Sequence, residues 1–176
     1  METPRQAWPI WMWIGIVALV ASARLLPHPW NFTPLVATGL FAGARARGFG
    51  AGALVTLLSL AISDIALGFS RDVLFVYSAA LIPVVLGRMI RSRGWGGISG
   101  AALASSVSFF VITNFMTWAM RDIYPHTMAG LAACYVAGIP FYANQLAGDV
   151  FYTAVMFGGY SLLARWLPRT PEPSAA

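Results

Sequence analysis

Asp64, Asn114, Gln145 and Asp149 stand isolated in long apolar runs, and they are the residues whose chemistry needs an explanation. Lone carboxylates are expensive in hydrocarbon and face a protein interior or a cavity. Tyr142, Gln145 and Asp149 fall at i, i+3 and i+7, on one face of a helix. Asn114 and Trp118 share a face of another helix, and Asn31 sits in a turn between Trp30 and Phe32. Amides and carboxylates set among aromatic faces resemble the lining of a small-molecule pocket. The chemistry on offer is recognition: hydrogen bonding, charge pairing and ring stacking.

Reaction chemistry has no comparable signature. The glycines between Gly48 and Gly52 are not followed by Lys and Ser or Thr, so they form no phosphate loop. No metalloprotease motif, cysteine pair or nucleophile–base arrangement is visible, so the expectation is not an enzyme, with no cofactor and no ATP hydrolysis of its own. His28, His126 and Cys134 do not make up a metal-ligand set.

These residues must be positioned by membrane helices. The chain has 176 residues, 59% hydrophobic and 10% charged, and its mean hydropathy is +0.71. A soluble domain carries about a quarter charged residues. The expected fold class is an all-α membrane protein: one integral membrane domain over residues 1–167 and a disordered Pro-rich tail over 168–176. Six transmembrane helices are expected, over 8–26, 34–46, 48–69, 73–90 with a kink at Pro83, 96–120 and 141–166. Residues 128–139 are too few to span comfortably and read as a short re-entrant or interfacial helix. Residues 1–23 also resemble a signal peptide ending at Ala21-Ser22-Ala23; a retained first helix is the preferred reading. Thr33-Pro34 reads as a helix cap followed by proline at the first helical position.

All eleven basic residues are Arg, and the net charge is +5. With six spans, Arg5, Arg45, Arg47, Arg88, Arg91, Arg93, Arg165 and Arg169 lie on one side and Arg24, Arg71 and Arg121 on the other. The asymmetry reports topology rather than nucleic-acid binding, and predicts both termini in the cytoplasm. Asn31, Asp64, Asn114, Asn144, Gln145 and Asp149 then gather toward the outer face. Two ion pairs are the competing explanation for the carboxylates: Asp64 with Arg24, and Asp149 with Arg121. The aromatic residues have a competing role as an interfacial belt. Gly15, Ala18 and Ser22 form a small-residue face on the first helix, suited to close packing inside the protein or to docking on a partner.

The set Asn31-Phe32-Thr33-Pro34, Ser63-Asp64, Leu67-Gly68-Phe69, Thr113-Asn114-Phe115 with Trp118, Tyr124-Pro125, Cys134-Tyr135, Pro140-Phe141, Asn144 and Gly148-Asp149 resembles an uncharacterised family of small bacterial integral membrane proteins. More distantly, the helix count and the polar outer end resemble the S components of energy-coupling-factor transporters. That resemblance implies a bacterial inner-membrane protein that binds a vitamin or metal ion from outside. It also implies docking through small residues of the first helix to a transmembrane coupling subunit with two ATPases.

The expected function is therefore substrate binding for uptake of a small micronutrient, such as a vitamin or related heterocycle, in the lipid bilayer. Trp30, Phe32, Phe115, Trp118 and Tyr142 would enclose the ligand. Asn31, Asp64, Asn114, Asn144, Gln145 and Asp149 would orient it. The alternative is a scaffold or accessory subunit with no small-molecule ligand, whose polar residues only tie helices together.

Overall fold

The structure is a computed structural model that describes residues 8–69 and 71–166. The tail 168–176 and the side chains of Arg5, Arg165 and Arg169 lie outside the described residues. Seven helical segments follow one another: α1 (Ile10–Leu25), α2 (Leu35–Arg45), α3 (Phe49–Leu67), α4 (Val73–Ala79), α5 (Leu81–Met89), α6 (Trp95–Met120) and α7 (Met128–Trp166).

Among the described residues three helices are long and apolar enough to cross a membrane: Phe49–Leu67, Trp95–Met120 and Met128–Ala164. Ile10–Leu25, Leu35–Arg45 and Val73–Met89 are shorter apolar helices. The exterior is apolar as well. Leu54, Leu58, Ile62 and Ile65 on α3, Leu103, Val107 and Val111 on α6, and Val150, Phe151 and Val155 on α7 are all exposed. Contiguous apolar surface on this scale marks a membrane or partner face.

The centre of the fold is α2. Every residue from Leu35 to Ala44 is buried, and the helix packs against α3, α5, α6 and α7. Small side chains make this possible. A Cβ on Gly43 would overlap the Val84 carbonyl of α5, and a Cβ on Gly87 would overlap the Leu40 carbonyl of α2. The two helices therefore meet backbone to backbone, with glycine on each side of the seam. In lipid such close approach supplies the dispersion contacts that drive helix association. Leu40, Phe41, Ile98 and Phe157 fill the remaining core.

Proline accounts for one break in the expected helices and fails to cause another. The predicted helix over 73–90 divides at Ala80, one turn before Pro83. Proline has no N–H for the carbonyl four residues earlier, so the turn before it loosens. Pro140, by contrast, lies inside α7, which runs unbroken for 39 residues. The expected re-entrant or interfacial helix over 128–139 is thus corrected: it is the first third of the last helix. Thr127 caps its start, its Oγ1 accepting the Gly130 N–H at 3.1 Å. Both sides of Pro140 are held on the same partner, since Tyr135 and Tyr142 each pack their rings on Phe110 of α6. At the helical rise α7 is about 58 Å long, well beyond the ~30 Å of a bilayer's hydrocarbon core.

Candidate functional site

A cavity of about 350 Å³ lies between α1, the turn before α2, α4, α6 and α7. Its wall includes Arg24, Asn31, Thr33, Phe109, Phe110, Thr113, Asn114, Thr117, Gly138, Phe141, Gln145 and Asp149. The helical repeat explains the set. Phe110, Thr113, Asn114 and Thr117 recur at i, i+3, i+4 and i+7 on α6, and Gly138, Phe141, Gln145 and Asp149 continue one stripe along α7.

The floor is formed by Asp149 and Gln145. Asp149 is 2% exposed and Gln145 7%. The Gln145 amide donates to the Ser106 carbonyl at 3.0 Å and lies 3.3 Å from the Ser106 hydroxyl. It reaches Asp149 Oδ2 only at 3.5 Å. Asp149 sits near the midpoint of α7 and its neighbour Ser106 near the midpoint of α6. The carboxylate therefore lies between the middles of the two long helices α6 and α7.

One wall is threonine and asparagine. Thr113 Oγ1 donates to the Phe109 carbonyl at 2.8 Å and Thr117 Oγ1 to the Thr113 carbonyl at 2.9 Å. Asn114 Nδ2 donates to the Phe110 carbonyl at 2.9 Å, so it bonds its own helix rather than a neighbouring one. Its Oδ1 lies over Gly138, where a Cβ would be only 2.6 Å away. Asn31 comes from the turn between α1 and α2 and adopts φ 63, a left-handed conformation that Asn tolerates better than most residues. That turn is seated directly on α7, because a Cβ on Gly148 would stand 3.1 Å from the Phe32 Cα. Thr33 makes no side-chain cap to α2; it lines the cavity instead, which corrects its reading as a cap.

Arg24 is the cationic part of the wall, and it is already engaged. Its Nη2 pairs with Asp64 Oδ1 at 2.9 Å, and its Nη1 bonds the Leu60 carbonyl and the Ser63 hydroxyl. Tyr77 donates to the other Asp64 oxygen at 2.9 Å. The pairing of Asp64 with Arg24 is as the sequence suggested. The second suggested pair does not form: Arg121 bonds Asp72, Nη2 to Oδ2 at 2.7 Å, and Asp149 is left out.

Of the residues expected to contact a ligand, Asn31, Asn114, Gln145 and Asp149 line the cavity. The others stand elsewhere. Trp30 is 71% exposed and stacks on Phe141 at 5.5 Å, at the rim. Phe32 packs on Phe151 and Tyr152. Phe115 lies 5.6 Å from Trp118, and the Trp118 indole donates to the Pro125 carbonyl at 2.9 Å. Tyr142 supports Phe110 from behind at 4.6 Å. Asn144 and Asp64 are not part of the wall. The small residues Gly15, Ala18 and Ser22 are exposed on α1, while Val17, Val20 and Ala21 face inward; packing of that stripe inside the protein is thereby excluded among the described residues. His28 bonds the Pro29 carbonyl, His126 packs its ring on Trp118, and Cys134 donates to the Asn114 carbonyl at 3.4 Å. No group of three metal-ligating side chains occurs among the described residues.

Residues 5–171 match a family of unknown function, DUF6580, and the chain belongs to that family. No curated protein and no solved structure matches the chain.

Proposed function

We propose that the chain is a membrane-embedded substrate-binding protein for uptake of a small micronutrient, such as a vitamin or related heterocycle. The observation that carries this reading is the cavity of about 350 Å³, floored by Asp149 and Gln145 and walled by Asn31, Asn114 and three phenylalanines. A cavity of this size, apolar with a few convergent polar groups, is what a small-molecule site requires. On this reading the chain makes six passes, with the shorter helices spanning by tilt or local thinning of the bilayer. The cavity opens to the outer face, and the end bearing Arg45, Arg88, Arg91 and Arg93 is cytoplasmic. Energy comes from a partner, such as a coupling subunit with ATPases, docked on the exposed face of α1.

The test is native mass spectrometry of protein gently extracted from its own host. A stoichiometric small molecule, lost in Asn114→Ala and Asp149→Asn variants that remain folded, supports the proposal. A clean unliganded mass, unchanged after addition of a pool of vitamins and metal ions, refutes it. The scaffold reading has one observation in its favour, the complete pairing of Asp64 with Arg24 and Tyr77. Asp149 has no such arrangement, and that favours a ligand.

A further inference from the structure

We infer that the cavity selects a small organic cation, an ammonium or amidinium carried on an aromatic or heteroaromatic ring, with Asp149 as its counter-ion. This inference rests on the binding-protein reading and names the class of substrate for it.

Charge is the first argument. Asp149 is buried at the cavity floor, and among the described residues its carboxylate meets the Ser106 hydroxyl and the Gln145 amide. Neither the Arg24–Asp64 nor the Arg121–Asp72 ion pair includes it, and no other is formed with it among the described residues. Arg24 lines the same cavity, but its charge is paired with Asp64 and its guanidinium also donates to the Leu60 carbonyl and the Ser63 hydroxyl. An ionised carboxylate at this depth needs a cation or strong donors to be tolerated. No cation stands beside it among the described residues, so a positive ligand would be the partner that holds this carboxylate ionised.

Hydrogen-bond polarity is the second argument, and it is independent of the first. The hydroxyl protons of Thr113 and Thr117 and an amide proton of Asn114 are all committed to carbonyls of α6. On α6 the groups left to meet a ligand are the Thr lone pairs, Asn114 Oδ1 and the second Asn114 amide proton, while Asn31 and Thr33 bring both donors and acceptors to the wall. The Thr lone pairs and the Asp149 oxygens suit a molecule that presents N–H donors.

Ring faces are the third argument. Phe109, Phe110 and Phe141 line the cavity, and Phe110 is braced by Tyr142 and Tyr135. Aromatic faces attract cations and stack on flat rings.

The experiment compares three probes that share an indole ring and differ in charge: tryptamine, tryptophol and indole-3-acetate. Binding to the protein in lipid nanodiscs is measured by calorimetry, and melting temperature reports folding. Tryptamine is expected to bind at least tenfold more tightly than tryptophol, with indole-3-acetate weaker still. Asp149→Asn is expected to abolish that preference while Asp149→Glu retains it. Equal binding of tryptophol or indole-3-acetate, or an unchanged preference in a folded Asp149→Asn protein, overturns the cation assignment and leaves the uptake reading standing. Failure of all three probes, with a neutral or anionic molecule found by native mass spectrometry, also overturns only the cation assignment. Failure of all three with no bound molecule overturns both.

Discussion

Arg24 at the end of α1 and Asp64 at the end of α3 meet at 2.9 Å, and Tyr77 of α4 holds the second carboxylate oxygen. Three helices are tied together at one point on the cavity rim. The pair also removes the cavity's positive charge from play, which leaves Asp149 to set its electrostatic character. Removing one partner of a largely buried pair leaves an uncompensated charge. Asp64→Asn is therefore expected to cost about 3 kcal/mol, and Tyr77→Phe about 1 kcal/mol, in reversible unfolding in mixed micelles. A loss below about 1 kcal/mol for Asp64→Asn would mean that water, not Asp64, compensates Arg24.

The seam between α2 and α5 predicts a contrast among glycines. Gly43→Ala and Gly87→Ala each drive a methyl group into a backbone carbonyl. Neither neighbour can yield without moving a helix, so each is expected to cost about 3 kcal/mol. Gly15→Ala, with nothing within 4 Å of the new Cβ, is expected to stay within about 0.5 kcal/mol of the parent. The same unfolding titration checks all three, and equal effects at Gly15 and Gly43 would contradict the close approach.

The continuity of α7 can be measured as a length. Spin labels at Ala132 and Val155, both exposed, are separated along one helix by about 35 Å at the helical rise. Pulsed dipolar spectroscopy is expected to return a distance near that value, allowing for label length. A re-entrant segment folding back at Pro140 gives a much shorter one.

Buried hydroxyls offer a stability test next to the site. Thr153 Oγ1 is buried without a hydrogen-bond partner among the described residues, whereas Thr38 Oγ1 donates to the Pro34 carbonyl at 2.6 Å. Thr153→Val is expected to be neutral or stabilising by up to about 1 kcal/mol, and Thr38→Val to cost about 1 kcal/mol. The reverse order would show that Thr153 has a partner in the membrane-embedded protein.

Two aromatic residues separate the cavity from its rim. Phe110→Ala is expected to weaken binding of whatever molecule co-purifies by tenfold or more, since a ring face is worth about 1–2 kcal/mol in such contacts. Trp30→Ala, outside the wall, is expected to change it less than threefold. Affinities measured by native mass spectrometry decide between the two assignments.

Much of the site was legible in the spacing of residues. The membrane class and the boundaries of most helices follow from apolar runs bounded by Pro, Gly and Arg. The recurrence of Phe110, Thr113, Asn114 and Thr117 is a readable helical stripe, of which the expected ligand contacts include Asn114 alone. The stripe on α7 was harder to see. A helix boundary at Pro140 separates Gly138 from Phe141, Gln145 and Asp149, and so conceals that one continuous helix carries all four. Proline removes one hydrogen bond, and neighbouring contacts decide whether the helix survives that loss; here Tyr135 and Tyr142 clamp both sides to Phe110. Asp72, which takes Arg121 away from Asp149, carried no signal at all, because ion-pair partners depend on which helix ends meet in space.

The sequence by itself determined that this chain carries helices apolar enough to cross a membrane and buries a few expensive polar groups. Hydropathy and the cost of an isolated carboxylate are properties of local composition, so no fold is needed to read them. It also determined that Asp64 and Arg24 were available to each other, since both stand near ends of apolar helices. Only the tertiary structure decided which carboxylate is paired with an arginine and which, among the described residues, is not. That choice follows from packing: glycines draw α2 against α5, Gly148 seats the Asn31 turn on α7, and the space that remains between the helices is the cavity above Asp149. Long-range geometry of this kind has no period and no composition, and it exists only once the helices have met.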